Sequence, residues 1–237
     1  MNRVQTHVLR EQLAIALFSD GAFLTRDSDH PLVVTRVSER GFLLQLHEKT
    51  PKAPLSPYFF NIRVAENKTR PGTLTESTVR LATECMYRLA VKRKLQYSGV
   101  TGVPNAGDPL AQTFVTFDQT KACFKLLKRE RNGKRTIEAI EHDAPQRHST
   151  ILLIDDLIST ARSKFLAIDL MKRKYSLQVT DVLVIVDRQQ GGCEELTAQG
   201  IGLHSVFTTM ELLDIYYYLG YISHELNRDI RAYIESQ

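Results

Sequence analysis

Two stretches of this chain, TILLI (150–154) and DVLVIV (181–186), run aliphatic without a break. A strand with one wet face alternates apolar and polar residues, because successive side chains point to opposite sides of a sheet. An unbroken aliphatic strand is therefore covered on both faces. Between the two lies SKFLAIDLMKRKY (163–175), where Phe165, Leu166, Ile168, Leu170 and Met171 give a broad apolar helix face. Helices between such strands imply parallel pairing. Three further strands are expected at YSGVTGV (97–103), ACFKLL (122–127) and LHSVF (203–207).

The flanks read as helical. VLREQLAIALFSDGAF carries Leu9, Leu13, Ala16 and Leu17 at helical spacing and stops at Gly21. LTESTVRLATECMYRLAVKRK (74–94) is a second helix, with Thr75 placed to cap it. A segment with Pro51, Pro54 and Pro57 leads into YFFNIR, and residues 209–235 form one or two helices. The whole is a doubly wound α/β protein with a mainly parallel sheet. Its 237 residues, 43% hydrophobic, suffice for one such domain with a full core.

Composition excludes several function classes. No run approaches the ~18 apolar residues of a membrane span, and the start lacks a signal-peptide core, so a cytoplasmic protein is expected. Cys85, Cys123 and Cys193 are an odd number without CxxC spacing, which suggests reduced thiols. The histidines form no HExxH or HxH pattern, so no metal site built from protein side chains is expected. KLLKRERNGKR (125–135) holds six cations against the single acid Glu130. It is either a solvated face or an anion site, and its lack of aromatic residues counts against single-stranded nucleic acid.

In open α/β sheets, ligands bind beyond the carboxyl ends of the strands. Three such ends carry chemistry here: GVPNAG, DDLISTARS and DRQQGG. The carboxylates of Asp155 and Asp156 can accept from sugar hydroxyls. The loop Ile158 to Ser163 precedes a helix N-terminus, whose free N–H groups attract phosphate. A ribose 5-phosphate fits both. The plainer alternative is an Asp pair that caps the turn. A nucleotide-hydrolysing fold would need a GxxxxGK[ST] loop, which is absent.

ILLIDDLISTARS resembles the phosphoribosyl pyrophosphate (PRPP) motif of type I phosphoribosyltransferases. Within that superfamily, LAIALFSDGAF, SPYFFNIR and VDRQQGG resemble pieces of orotate phosphoribosyltransferase, in family order over residues 9 to 210. The resemblance implies an N-terminal helix and hood (1–70), an α/β core (71–210) and C-terminal helices (211–237) in a single domain. It implies that Asp155 and Asp156 contact ribose, that Ser159, Thr160, Ala161, Arg162 and Ser163 hold the 5-phosphate, and that Leu157 and Ile158 also contact PRPP. Asn105 and Ala106 would add PRPP contacts. Phe59, Phe60, Ser159 and Arg188 would receive orotate; the plainer alternative for Arg188 is a surface ion pair with Asp187. Lys128, Arg129 and Lys134 would sit in a mobile catalytic loop that closes over the partner subunit's site in a homodimer. Mg²⁺ would be bound mainly through PRPP. The implied reaction forms orotidine 5′-monophosphate and pyrophosphate in pyrimidine synthesis. No membrane is involved, and nucleic acid is not favoured as a partner. Two alternatives stand beside it: a phosphoribosyltransferase for another base, and a non-catalytic PRPP- or nucleotide-sensing regulator.

Three departures from the family pattern matter. Ala161 stands where the phosphate loop usually has Gly, which costs about 1–2 kcal/mol if that position needs φ > 0. Asn105-Ala106 replaces an aromatic residue and Lys. The catalytic loop is about two residues short, with Arg131, Lys134 or Arg135 in place of the usual second Lys and His-Gly.

Overall fold

The structure, a computed structural model, describes residues 3–36, 39–44, 47, 50–68, 70–131, 134–141 and 144–236. Helix α1 (Arg3–Ser19) is followed by four short strands: β1 (Phe23–Thr25), β2 (Val33–Arg36), β3 (Glu39–Phe42) and β4 (Tyr58–Phe60). Next come α2 (Glu76–Arg93), β5 (Gly99–Gly102), α3 (Gly107–Phe114), β6 (Ala122–Arg131), β7 (Lys134–Glu141) and β8 (Thr150–Ile158). The chain finishes with α4 (Arg162–Tyr175), β9 (Gln178–Asp187), α5 (Gly192–Thr197), β10 (Gly202–Thr208), α6 (Thr209–Tyr218) and α7 (His224–Glu235).

The main sheet has six strands in the order β10-β9-β8-β5-β6-β7. Every neighbouring pair from β10 to β6 is parallel, and only β7 runs antiparallel. The aliphatic strands lie at its centre, as their sequence requires. Leu152 and Ile154 of β8, with Leu183 and Ile185 of β9, join a core shared with α1, α2, α6 and α7. Ile151, Leu153, Val182 and Val184 join a second core with Ala167, Ile168 and Met171 of α4. Alternate residues thus serve opposite faces, each buried aliphatic contributing about 1.5–3 kcal/mol.

The helix stops and starts follow the expected chemistry. Gly21 takes φ +70 after α1, and the Ala22 N–H donates to Leu17 O at 2.9 Å. Thr75 Oγ1 accepts from the Thr78 N–H at 3.2 Å at the start of α2. Antiparallel pairs β1–β4 and β2–β3 make up the segment between α1 and α2. Arg63, just beyond β4, ties that segment to β8 through Asp156 (3.5 Å), and Arg26 ties it to α7 through Asp229 (2.6 Å).

The basic run departs from the sequence reading. Its residues are strand: β6 continues to Arg131 and pairs with β7 in register Lys128↔Ile137, Arg129↔Thr136. The run was expected as a loop because charges on both arms hide the alternation that would mark β7. A register shift between Leu127 and Lys128 leaves the outer ribbon distinct from the sheet proper. Asn132 and Gly133 lie outside the described residues, as do the side chains of Arg131, Lys134 and Arg135.

Candidate active site

The three strand ends singled out in the sequence are neighbours, because β5, β8 and β9 are adjacent in the sheet. Asp155 and Asp156 lie inside β8, at 3% and 4% exposure. As strand residues in succession they face opposite ways. Asp155 Oδ1 accepts the N–H of Asp156 at 2.9 Å, and its Oδ2 accepts from Lys164 Nζ at 2.6 Å. Lys164 also donates to Leu157 O at 2.7 Å. Asp156 Oδ1 accepts the Leu157 N–H at 2.7 Å, while its Oδ2 lies 3.5 Å from Arg63 Nε.

These surroundings set the acidity of Asp156. Burial first, and the negative charge of Asp155 second, push its carboxyl up to about 7, while Arg63 and Lys164 pull the other way. In the unfolded chain an aspartate loses its proton near ~3.9. Between those values the native state binds more protons than the unfolded state, so this group's contribution to stability falls as pH rises from about 4 to about 7. Asp156→Asn is expected to remove that slope, so that its melting midpoint rises relative to wild type above pH 7. Midpoints measured from pH 4 to 8 check this, and parallel curves would contradict it.

The loop after β8 enters α4. Ala161 is its N-cap residue and offers no side-chain cap, so the first-turn N–H groups of α4 are available to an anion. Its φ is −82, an ordinary value, so the strain expected from Ala in place of Gly is absent. Ala161→Gly is therefore expected to lower stability by about 0.5–1 kcal/mol, measurable as a lower denaturation midpoint. A rise would show hidden strain. The Ala161 N–H itself donates to Glu195 Oε2 of α5 at 2.7 Å. Ser159 O accepts the N–H of Gly192 at 3.0 Å, and a Cβ on Gly192 would lie 2.6 Å from the Ile158 side chain. That glycine lets the β9 end close against the loop between β8 and α4.

At the end of β9, Arg188 is 9% exposed. Its Nε and Nη2 are buried without a hydrogen-bond partner among the described residues, and its guanidinium lies 5.2 Å from the Tyr58 ring centre. The ion pair with Asp187 is not formed; Asp187 instead accepts the Gln189 N–H at 2.8 Å. A buried guanidinium with open donors is costly unless an acceptor arrives. A planar carboxylate matches its fork.

Phe59 and Phe60 were expected to lie together against one ligand, but strand alternation separates them. Phe60 packs with Phe23 and Tyr58 in the core. Phe59 faces Phe42 and lies 5.0 Å under the Arg70 guanidinium. At the end of β5, Asn105 and Ala106 form the turn into α3, and the Pro104–Asn105 peptide is cis. A Cβ on Gly107 would meet Ile154 O at 2.3 Å, so glycine permits this turn to lie against β8. Asp108 follows; burial, ahead of the neighbouring charges, pushes its carboxyl up to about 6.

Lys128 is half-buried on β6, and Arg129 is exposed in an ion pair with Glu138 at 3.2 Å. Sequence reading missed Lys164, Arg63, Tyr58 and Glu195. Lys164 had a signal: it opens the inward stripe Lys164, Ala167, Ile168, Met171 at helical spacing. Arg63 and Glu195 reach the site only through tertiary folding.

The fold of this parallel sheet, whose adjacent strand ends bring together an acid pair, a loop that opens a helix and a buried arginine, is that of the type I phosphoribosyltransferases. Solved structures agree: the Leishmania donovani UMP synthase matches with TM-score 0.70 at 22% identity, over 96% of this chain and 42% of that one. The Aeropyrum pernix orotate phosphoribosyltransferase matches with TM-score 0.62 at 23% identity, over 89% of this chain and 99% of that one. In sequence the chain is 30% identical over 161 residues to the Bos taurus uridine 5′-monophosphate synthase, which is 68% of this chain and 31% of that protein. No family model matches. The chain thus has the type I phosphoribosyltransferase fold and is similar in sequence to orotate phosphoribosyltransferases and UMP synthases. It spans about a third of the length of the bovine relative.

Proposed function

We propose that this chain is an orotate phosphoribosyltransferase, transferring the phosphoribosyl group of PRPP to a ring nitrogen of orotate. The observation that carries the base assignment is Arg188, a buried guanidinium with two open donor nitrogens beside Tyr58. A carboxylated base supplies the acceptor that those nitrogens lack. Asp156 offers a carboxylate to ribose hydroxyls, and the start of α4 receives the 5-phosphate.

In the reaction the bond from C1 to the pyrophosphate oxygen breaks, and a bond from C1 to the pyrimidine nitrogen forms. The centre gains oxocarbenium character, and charge builds on the departing pyrophosphate. Catalysis then consists of positioning and of cations aimed at the leaving group. Lys128 and Arg129 on the β6–β7 ribbon are the cations proposed for that role, acting across the interface of a homodimer. Among the described residues no three Asp, Glu, His or Cys side chains gather to hold a metal ion. Asp155 is held by Lys164 at 2.6 Å, and Asp156 lies 3.5 Å from Arg63. We propose that Mg²⁺ would be bound mainly through PRPP, where it would offset pyrophosphate charge. No helix among the described residues is long and apolar enough to cross a membrane. Leu13, Tyr58, Met86, Leu183, Tyr216 and Ile230 share one core, which supports treating 1–237 as one domain.

Base selectivity tests the reading. With PRPP and Mg²⁺ present, orotate is expected to be consumed while uracil and adenine are not, since neither offers a carboxylate. Turnover of adenine but not orotate would move the chain to another base. PRPP binding without turnover of any base would make it a sensor.

A further inference from the structure

Lys164 is buried at 3% exposure, whereas Arg162, Lys172, Arg173 and Lys174 of the same helix are exposed. A lysine in such a place survives only with its protons engaged. Two of them are, on Asp155 Oδ2 at 2.6 Å and on Leu157 O at 2.7 Å. The other oxygen of Asp155 receives the Asp156 N–H at 2.9 Å. One acid of the pair is therefore held from both sides. The other accepts the Leu157 N–H at 2.7 Å and lies 3.5 Å from the half-buried Arg63.

We propose that Lys164 is a positioning residue that makes the acid pair unequal, anchoring Asp155 as a structural anion and leaving Asp156 to meet the ribose hydroxyls. The inference rests on the PRPP reading of the site. The charged groups around the pair are Lys164 from α4, Arg63 from beyond β4, and Asp108 from α3, which faces Asp155. Two adjacent buried carboxylates resist losing both protons, and Lys164 offsets that resistance. Without it the pair keeps a proton to higher pH, and Asp156 is mostly the neutral acid, a weaker acceptor for ribose hydroxyls, under neutral conditions.

The test uses the full chain with PRPP, orotate and Mg²⁺. In Lys164→Met the acid limb of kcat/KM for PRPP is expected to move up by about one pH unit, a loss of roughly fivefold at pH 7 that narrows by pH 9. KM for orotate should change little. Lys164→Arg should restore the limb, because the cation returns. Asp155→Asn with Lys164→Met removes both charges of the buried pair and should bring the limb back toward wild type, including where the single Met variant does not fold. Carbon NMR of the Asp156 carboxyl provides a readout that needs no substrate, and its titration should rise in Lys164→Met. An unmoved titration and an unmoved limb would overturn the proposal, as would an equal loss at every pH that Lys164→Arg fails to rescue. A wild-type protein that does not use PRPP would sink the functional reading instead, with the Asp156 titration still deciding what Lys164 does.

Discussion

Replacing Arg188 by alanine is expected to raise KM for orotate by roughly thirty- to a hundredfold, about 2–3 kcal/mol of lost charge-assisted hydrogen bonding. KM for PRPP should change by less than about threefold. The asymmetry follows from where the guanidinium lies: 9% exposed, against the Tyr58 ring, with Nε and Nη2 unsatisfied among the described residues. Removing a buried cation whose partners are missing leaves no carboxylate stranded, so the variant should melt at or above the wild-type temperature. That combination separates a ligand contact from a packing role. Arg188→Lys keeps the charge but loses the fork, and should fall between the two. Equal effects on both substrates, or a large loss of stability, would take Arg188 out of the base pocket.

The second large effect concerns the ribbon. Replacing Lys128 and Arg129 together by alanine is expected to lower kcat by about 10² or more, as for loss of preorganised donors at a developing charge. The structural cost should be small. Arg129 is 59% exposed at its side chain in its ion pair with Glu138, and such surface pairs are worth about 0–1 kcal/mol. If the subunits share their sites, mixing this double variant with Arg188→Ala should restore activity in a fraction of the heterodimers. A double variant with wild-type turnover would return the run to a solvated face. A loss without complementation would keep the role and place it within one chain.

What could be read from sequence follows from what each segment must bury. The strands β8 and β9 declared themselves because four or five aliphatic residues in a row fit only a doubly covered sheet, and the placing of their ends beside β5 followed from that topology. The α2 cap at Thr75 and the stop at Gly21 were local chemistry and equally legible. The ribbon was not, since neither arm carries a clean alternation. The strain assigned to Ala161 was an inference from residue type, and the backbone simply does not take positive φ there. Strand period puts Phe59 and Phe60 on opposite faces, a rule already available in the sequence. Lys164 and Arg63 are the deeper omission: side chains that set the charge of the acid pair come from α4 and from the segment beyond β4, and only tertiary contacts name them.

The central claim, that this chain joins orotate to PRPP, is tested most directly by mixing the purified protein with both substrates and Mg²⁺ and following the orotate absorbance. The expected result is a PRPP-dependent loss matched one for one by pyrophosphate release. Orotate left intact, at enzyme concentrations where a hundredfold slower catalyst would still be seen, would contradict it.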